Sequence, residues 1–281
     1  MIQLAFSTNA FKKSSLEEAI SSIAEAGYTG VELMADVPHA YPPSLNSTAR
    51  TAIKNQIQSL GLTVSNINAF TLFAAGDTYH PTWIEDDHRK RDLRIEHTMH
   101  CIEFAREMQC RTVSIQPGGP TIGTTIDRPT AGRRFADGLE RLLPIAQRLG
   151  VTIAIEPEPG LFIQTAAEYL EFKNTFFRQD SNIRMNCDIG HLFCVNEDPA
   201  DAIRSMPQEI AHVHLEDIGA NRVHQHLAPG KGAIDFPSIF NALREIHYPG
   251  WVTVELYPYE TTAAGVAAQA FQYLKPLLPG A

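Results

Sequence analysis

The sequence predicts an α/β fold, a single (β/α)₈ TIM barrel occupying residues 1–281, and three observations predict it. Short β-branched or apolar runs alternate with longer amphipathic stretches eight times along the chain, as repeated strand-helix units require. No G-x-G-x-x-G turn follows the first run, which separates the pattern from a doubly wound dinucleotide fold. Acidic and imidazole side chains recur where successive runs end, and in a barrel those ends share one mouth.

The units read in order as follows. IQLAFS at residues 2–7 leads to a helix over about 16–26, with Ser14 or Ser15 as N-cap and Gly27 behind it. GVELM at 30–34 leads to a helix near 47–60 closed by Gly61, and TVSNINA at 63–69 to a polar loop and a helix near 88–109. TVSIQP at 112–117 is followed by a Gly/Pro-rich stretch and a helix near 129–149, then Gly150. TIAIEPE at 152–158 leads to a helix near 165–178, and IRMNCD at 183–188 to a short helix near 198–206. The last two units pair IAHVHLE at 210–216 with a helix near 236–246, and WVTVEL at 251–256 with one near 262–275. No stretch reads as an inter-domain linker, and the longest irregular segments, about 70–87 and 217–235, both follow strands, where loops cover a barrel's active-site mouth.

Composition narrows the function. A hydrophobic content of 44% and a charged content of 20% are those of a globular protein with a large core. The formal net charge of −9 disfavours a nucleic-acid partner, whose phosphates call for Lys and Arg, and favours a small neutral or modestly anionic ligand. No apolar run reaches the ~18 residues of a membrane span. Cys101, Cys110, Cys187 and Cys194 form no C-x-x-C pair, and MIQLAFSTNAFKKSS does not read as a signal peptide, so reduced thiols and a cytoplasmic location are expected.

Four strand ends carry the chemistry: Glu156 in IAIEPEPG, Asp188 in MNCDIGH, His214 in HVHLED and Glu255 in VTVELYP. Carboxylates converging on one mouth repel one another and are costly to bury without a cation. One divalent metal held by these four resolves the conflict. Three carboxylates and an imidazole suit Mn²⁺, Mg²⁺ or Co²⁺, and Zn²⁺ is compatible.

These segments resemble the xylose isomerase-like barrel superfamily of sugar and sugar-phosphate isomerases and epimerases, which also contains inosose dehydratase, dehydroshikimate dehydratase and endonuclease IV. HVHLEDI followed by HQHLAPGKGAIDF is similar to that family's H-x-H-x-x-D and G-x-G-x-I-D-F segments, alongside D-x-G-H at 188–191 and the terminal V-T-V-E. The resemblance implies that the four strand-end residues hold the metal and that Glu156 and Glu255 are also the acid/base pair. It implies a sugar, sugar-phosphate or polyol isomerase or epimerase of carbohydrate metabolism. One glutamate removes a proton beside a carbonyl, the metal stabilises the resulting enediolate, and the other glutamate returns a proton. A dehydratase uses the same proton removal and is the nearest alternative; an endonuclease IV-like repair enzyme and a non-catalytic sugar-binding barrel stand further off. A homodimer or homotetramer agrees with the family's habit.

Further residues belong to the expected substrate site. His191 resembles a substrate-hydroxyl ligand or caps the following helix. His226, with His224 as a stand-in, precedes the G-K-G turn as a substrate contact or a solvated loop histidine. His212 shares a strand face with His214, one layer deeper. Lys231 stands where family members carry an acid, either to attract a phosphate or carboxylate or as a plain surface lysine. Glu158, two residues past Glu156, reads a substrate hydroxyl. Glu32, Asn68 and Gln116 lie near other strand ends, and the loop GDTYHPTW, with His80 and Trp83, forms a lid or simply covers the barrel top.

Overall fold

In the computed structural model, which describes residues 2–121, 123–179 and 181–278, eight parallel strands close on themselves in chain order. They are β1 (Gln3–Ser7), β2 (Gly30–Met34), β3 (Thr63–Asn68), β4 (Thr112–Ile115), β5 (Thr152–Ile155), β6 (Ile183–Asp188), β7 (Ile210–Leu215) and β8 (Trp251–Val254). β1 pairs with β8 through Gln3–Trp251 and Phe6–Val254, which seals the barrel. Around it run α1 (Leu16–Glu25), α2 (Ser47–Ser59), α3 (His88–Glu107), α4 (Arg128–Leu149), α5 (Ala166–Phe176), α6 (Ile189–Cys194), α7 (Pro199–Ser205), α8 (Phe236–Glu245) and α9 (Ala263–Leu274). The closed barrel with intervening helices is the architecture expected from the alternation.

Local chemistry explains the starts and stops. Ser15, rather than Ser14, caps α1: its Oγ accepts from Glu18 N at 3.2 Å while Glu18 Oε2 accepts from Ser15 N at 2.9 Å, a reciprocal capping box. α4 ends at Gly150, whose φ of 66° is the left-handed conformation that glycine adopts without a Cβ penalty. One helix departs from the expectation. α6 begins directly after β6, because Asp188 ends the strand and caps the helix by accepting from His191 N at 2.8 Å. Six residues are too few for a helical period to stand out.

Two register shifts mark the polar layer of the barrel, between Val31 and Glu32 in the β2–β3 pair and between Met185 and Asn186 in the β6–β7 pair. Such irregularities re-aim side chains, and here Glu32 and Asn186 both point into the fully buried interior. On the opposite, helix-facing side of the strands the core is apolar, with Phe6, Val31, Leu33, Ile67, Val113, Ile153, Val213 and Val252 all buried.

The segment after β3 is tied down from beneath. Asp36 accepts from Val37 N, Ala74 N, Phe73 N and Thr71 Oγ1 at 2.8, 3.1, 2.5 and 2.8 Å. Arg94 on α3, buried, donates to Pro81 O at 2.8 Å and Phe70 O at 2.9 Å. Trp83 is an anchor and not a lid residue, since it is buried against Phe135 with ring centroids 5.4 Å apart. His80 is exposed, bonded to Asp77, and lines an outer depression. The four cysteines are unpaired. Among the described residues no helix is long and apolar enough to cross a membrane.

His97 gives the fold a pH dependence. It is buried on α3, stacked on Tyr41 at 5.9 Å, and among the described residues its ring nitrogens meet only the Cys101 sulfur, at 3.7 and 3.9 Å. Burial, reinforced by Arg94 and His100, pushes its pKa down to about 3. The unfolded chain takes up a proton here below the ordinary value of about 6.5 while the folded chain refuses it. This stabilisation is therefore complete above that pH and is lost as pH falls toward 3. We predict that His97→Leu removes about 2 kcal/mol of the stability difference between pH 7 and pH 5, measured by urea unfolding; an unchanged pH dependence would contradict this.

Candidate metal centre and substrate cavity

Each of the four strand-end residues owes its position to the ladder. Glu156 and Glu255 lie one residue beyond β5 and β8, and their N–H groups still donate to Ile115 O and Leu215 O at 3.1 Å. Asp188 ends β6 and His214 lies within β7. One ligand atom from each of Glu156, Asp188, His214 and Glu255 falls within 4.8 Å of the others, and all four residues are buried.

His214 shows how the cluster is polarised. Its Nε2 sits 2.6 Å from Glu32 Oε2, and Asn66 and Asn68 donate to Glu32 at 2.9 and 3.1 Å. A carboxylate only accepts, so Nε2 carries a proton and Nδ1 faces the cluster. There Nδ1 meets Glu156 Oε1 at 3.1 Å, Glu255 Oε1 at 3.8 Å and Asp188 Oδ2 at 3.9 Å. Burial lowers the His214 pKa, but Glu32, Glu156 and Glu255 together raise it well above the ordinary imidazole range. Burial raises the Glu255 carboxyl to about 8, with Glu156, Glu32 and Asp188 adding to the rise and His214 opposing it. The point ringed by these groups favours positive charge.

The residues present fit a divalent cation. Asp188 Oδ2 is buried without a hydrogen-bond partner, and the donor set is three hard oxygens and one imidazole nitrogen. The other oxygens are held in place: Asn186 donates to Glu156 Oε2 at 2.9 Å, and Asn9 and Asn68 donate to Glu255 Oε1 at 2.8 and 3.1 Å. Glu32 is the orienting partner for the imidazole, a role that fixes tautomer and ring angle in metal sites. His212, one layer deeper, lies 3.5 Å from Glu32 Oε2. Burial lowers its pKa despite Glu32, so it is a neutral core histidine.

Behind Asp188 lies Glu216, both of whose oxygens are buried without a donor. Burial first, and Asp188 next, raise its pKa well above the carboxylate range. This carboxyl explains the glycine of D-x-G-H: a Cβ on Gly190 would lie 1.6 Å from Glu216 Oε1. The companion motif resolves in the same way. Asp217 accepts from the N–H groups of Ile218, Gly230, Gly232 and Ile234 at 2.7–3.1 Å, four bonds to a carboxylate worth about 1.5–3 kcal/mol each. A Cβ on Gly232 would sit 2.3 Å from Ile218 O.

Above the cluster is a cavity of about 230 Å³ lined by Glu156, Glu158, His191, His224, His226 and Glu255, with Asn9, Lys12, Asn68, Tyr79 and Tyr257 among its walls. Both irregular segments supply lining residues: Phe70, Thr71, Phe73, Thr78 and Tyr79 from the first, His224 and His226 from the second. Glu158 accepts from Tyr79 Oη at 2.8 Å. Burial pushes Glu158 up to about 7, His191 and Tyr79 opposing the rise. His191 and His226 anchor their Nδ1 atoms on Pro157 O and Glu255 O at 3.0 and 2.9 Å.

Two expected residues are elsewhere. Lys231 is exposed and lines a surface depression with Tyr273, because Asp217 draws the Gly230 and Gly232 amides inward and leaves the lysine side chain outside. Gln116 is buried and donates to Tyr79 O at 3.2 Å and, more weakly, to Phe70 O at 3.4 Å; it supports the first loop and does not line the cavity. Asn9, Asn186, Glu216 and Tyr79 escaped the sequence reading. Asn186 and Glu216 had a signal, since each lies two residues from a candidate ligand in the same extended run, Asn186 before Asp188 in β6 and Glu216 one residue past the end of β7. Asn9 sits on a 3₁₀ turn after β1 and Tyr79 in a loop, where spacing says nothing.

The profile of the xylose isomerase-like TIM barrel family matches residues 20–277. The chain belongs to this family. Within the xylose isomerase-like TIM barrels it is similar to the inosose dehydratase of Clostridium beijerinckii, 27% identical over 270 residues that cover 87% of this chain and 83% of that one. The inosose dehydratase of Lacticaseibacillus casei is 26% identical over 291 residues, covering 94% and 90%. Among solved structures, a D-psicose 3-epimerase matches with a TM-score of 0.80 at 17% identity, covering 99% and 100% of the two chains. A protein solved with a bound zinc atom matches with a TM-score of 0.78 at 19% identity, covering 98% and 99%. The last two likenesses are of fold.

The Glu32–His214 contact is testable in this family member. Glu32→Gln should weaken Mn²⁺ binding by roughly 10- to 100-fold, read by calorimetric titration of the chelator-stripped protein. Unchanged affinity would show that His214 needs no anionic partner.

Proposed function

We propose that the chain is a divalent-metal-dependent dehydratase that eliminates water from a small keto-polyol. The observation that carries this reading is a third carboxyl in the cavity, Glu158, bonded to Tyr79 Oη at 2.8 Å and set beside Glu156 and Glu255. Elimination beside a carbonyl needs a base for the C–H bond and an acid for the departing hydroxyl. Glu156 and Glu255 supply the first, and Glu158, which is outside the ligand set, supplies the second. Relatives named inosose dehydratase, aligned over 83% or more of their own length, support the same reaction type.

A bound divalent cation would supply Lewis-acid polarisation of the ketone, and Mn²⁺, Mg²⁺ or Co²⁺ suits the oxygen-rich floor better than Zn²⁺. The remaining work falls to side chains. One of the opposed glutamates takes the proton from the carbon beside the ketone, and the electron pair moves into the carbonyl as an enolate. Those electrons return to form the C=C bond and expel the neighbouring hydroxyl, which leaves as water with a proton from Glu158. Asn9, Asn68 and Asn186 hold the two glutamates in orientation throughout. The substrate is read as an uncharged carbohydrate or polyol, since Lys12, the lysine of the cavity wall, is already paired with Glu260 at 2.8 Å.

The isomerase or epimerase expected from the sequence shares the first proton removal, and the bracketing of the cavity by Glu156 and Glu255 also favours it. It needs the proton returned to carbon and gives no task to an acid at the neighbouring hydroxyl. The test is product mass in deuterated water with keto-inositols as probes. The proposal predicts loss of one water. In Glu158→Gln, elimination should fall by about 10²- to 10⁴-fold while exchange of the substrate C–H for deuterium persists. Glu156→Gln and Glu255→Gln should lose both. A product that has lost no water, or full elimination by Glu158→Gln, would sink the assignment.

A further inference from the structure

Glu158 stands on the turn after β5, yet its partner comes from the loop after β3. Tyr79 Oη donates to Glu158 Oε1 at 2.8 Å, a contact across 79 positions of the chain. Glu158 is buried and Tyr79 half-buried, and both line the cavity.

The backbone around Tyr79 is pinned by its neighbours. Asp77 Oδ1 accepts from Tyr79 N at 2.9 Å and from His80 N at 2.8 Å, which folds this part of the loop into a tight turn. Gln116, one residue past β4, donates through Nε2 to Tyr79 O at 3.2 Å, and the same Nε2 lies 3.4 Å from Phe70 O. Carbonyl oxygens only accept, so Nε2 is the end of the Gln116 amide that faces the loop. The rings of Phe70 and Tyr79 meet edge-on, with centroids 6.4 Å apart. Buried Arg94 donates to Phe70 O and to Pro81 O and so brackets Tyr79 along the chain. Gln116 and Arg94 both grip backbone carbonyls, so the loop's anchorage does not depend on the tyrosine hydroxyl.

An enolate formed in this cavity has two fates. Its electrons can close a C=C bond and expel the neighbouring hydroxyl, or a proton can return to the carbon that lost one. The first fate needs an acid at the leaving oxygen, and the second does not. We propose that Tyr79 is the positioning residue that directs the enolate to elimination, and that Gln116 acts through it; the inference rests on the dehydratase reading, in which Glu158 is the acid. The Tyr79 hydroxyl occupies Oε1 and leaves Oε2 to carry the acid proton. As the C–O bond breaks, that proton passes from Oε2 to the departing oxygen and water leaves. The carboxylate left behind keeps the Tyr79 hydrogen bond, which is stronger to an anion than to the neutral acid. Without the phenol hydroxyl the carboxyl is free to turn and its negative charge forms unaided. The C–H step belongs to Glu156 and Glu255, so the hydroxyl bears on the second branch far less than on the first.

The experiment measures this partition on the Mn²⁺-loaded full chain in deuterated water, with keto-inositols as probes. Deuterium in recovered substrate counts proton return, and product that has lost water counts elimination. Both arise from one enolate, so their ratio does not depend on substrate affinity or on the fraction of chain that is loaded. Tyr79→Phe, which keeps the ring against Phe70, should raise the ratio of exchange to elimination by roughly 10- to 100-fold, the loss expected for one hydrogen bond to a charged group. Gln116→Ala should raise the ratio by less, and should add nothing in the Tyr79→Phe background. A Gln116→Ala effect that persists in full without the hydroxyl would overturn the part given to Gln116. A ratio moved by Glu158→Gln and unmoved by Tyr79→Phe would overturn the proposal and leave the dehydratase reading standing. A ratio unmoved by either change, or exchange without elimination in the unaltered chain, would overturn both.

Discussion

The structure depends on one electrostatic constraint: Glu32, Glu156, Asp188, Glu216 and Glu255 are all buried at one end of a closed apolar barrel. Carboxylates taken out of water are costly, and their mutual repulsion grows as the dielectric falls. The chain meets the cost in three ways. His214 stands between Glu32 and Glu156, donating Nε2–H to Glu32 and turning Nδ1 to the cluster. Burial and the neighbouring Asp188 hold the Glu216 carboxyl well above the usual carboxylate range. The remaining negative charge converges on a point whose donor set fits a divalent cation.

That convergence makes the surrounding architecture intelligible. Asparagines from four places in the chain, Asn9, Asn66, Asn68 and Asn186, donate to the carboxylates and fix their directions. Two aspartates do corresponding work for the loops: Asp36 gathers the amides after β3, and Asp217 gathers those of the glycine turn after β7. Buried Arg94 and Gln116 hold the first loop by its carbonyls. The cavity therefore has an acidic floor fixed by strands and walls contributed by anchored loops. This division puts the titratable groups on rigid strands and leaves the loops to shape the cavity.

Much of this was legible in the sequence because strands impose a period of two and end at a common mouth. Glu156, Asp188, His214 and Glu255 could be placed together from their strand-end positions alone, and the eight units could be counted from hydropathy. The short helix Ile189–Cys194 was not legible, since its six residues carry no period and its cap, Asp188, also reads as a strand end. Lys231 was left between an anion contact and a surface lysine because a loop residue's direction depends on which backbone groups are captured; Asp217 captures those on either side of it, and the surface reading holds. Tyr79 and the His224–His226 pair were undetermined for the same reason. Asn9 reaches Glu255 only through barrel closure, a contact across 246 positions that no local pattern encodes.

The most direct test of the buried-charge account is thermal unfolding of the chelator-stripped protein as free Mn²⁺ is raised. If the acidic floor is resolved by a cation, the melting temperature climbs with the logarithm of free metal, equivalent to about 2.7 kcal/mol at 100 times the dissociation constant. The gain should shrink in Asp188→Asn, which removes one ligand charge and keeps a cap for α6. A melting temperature that ignores both chelator and Mn²⁺ would mean that protons and asparagines suffice to bury these carboxyl groups, and would contradict the account.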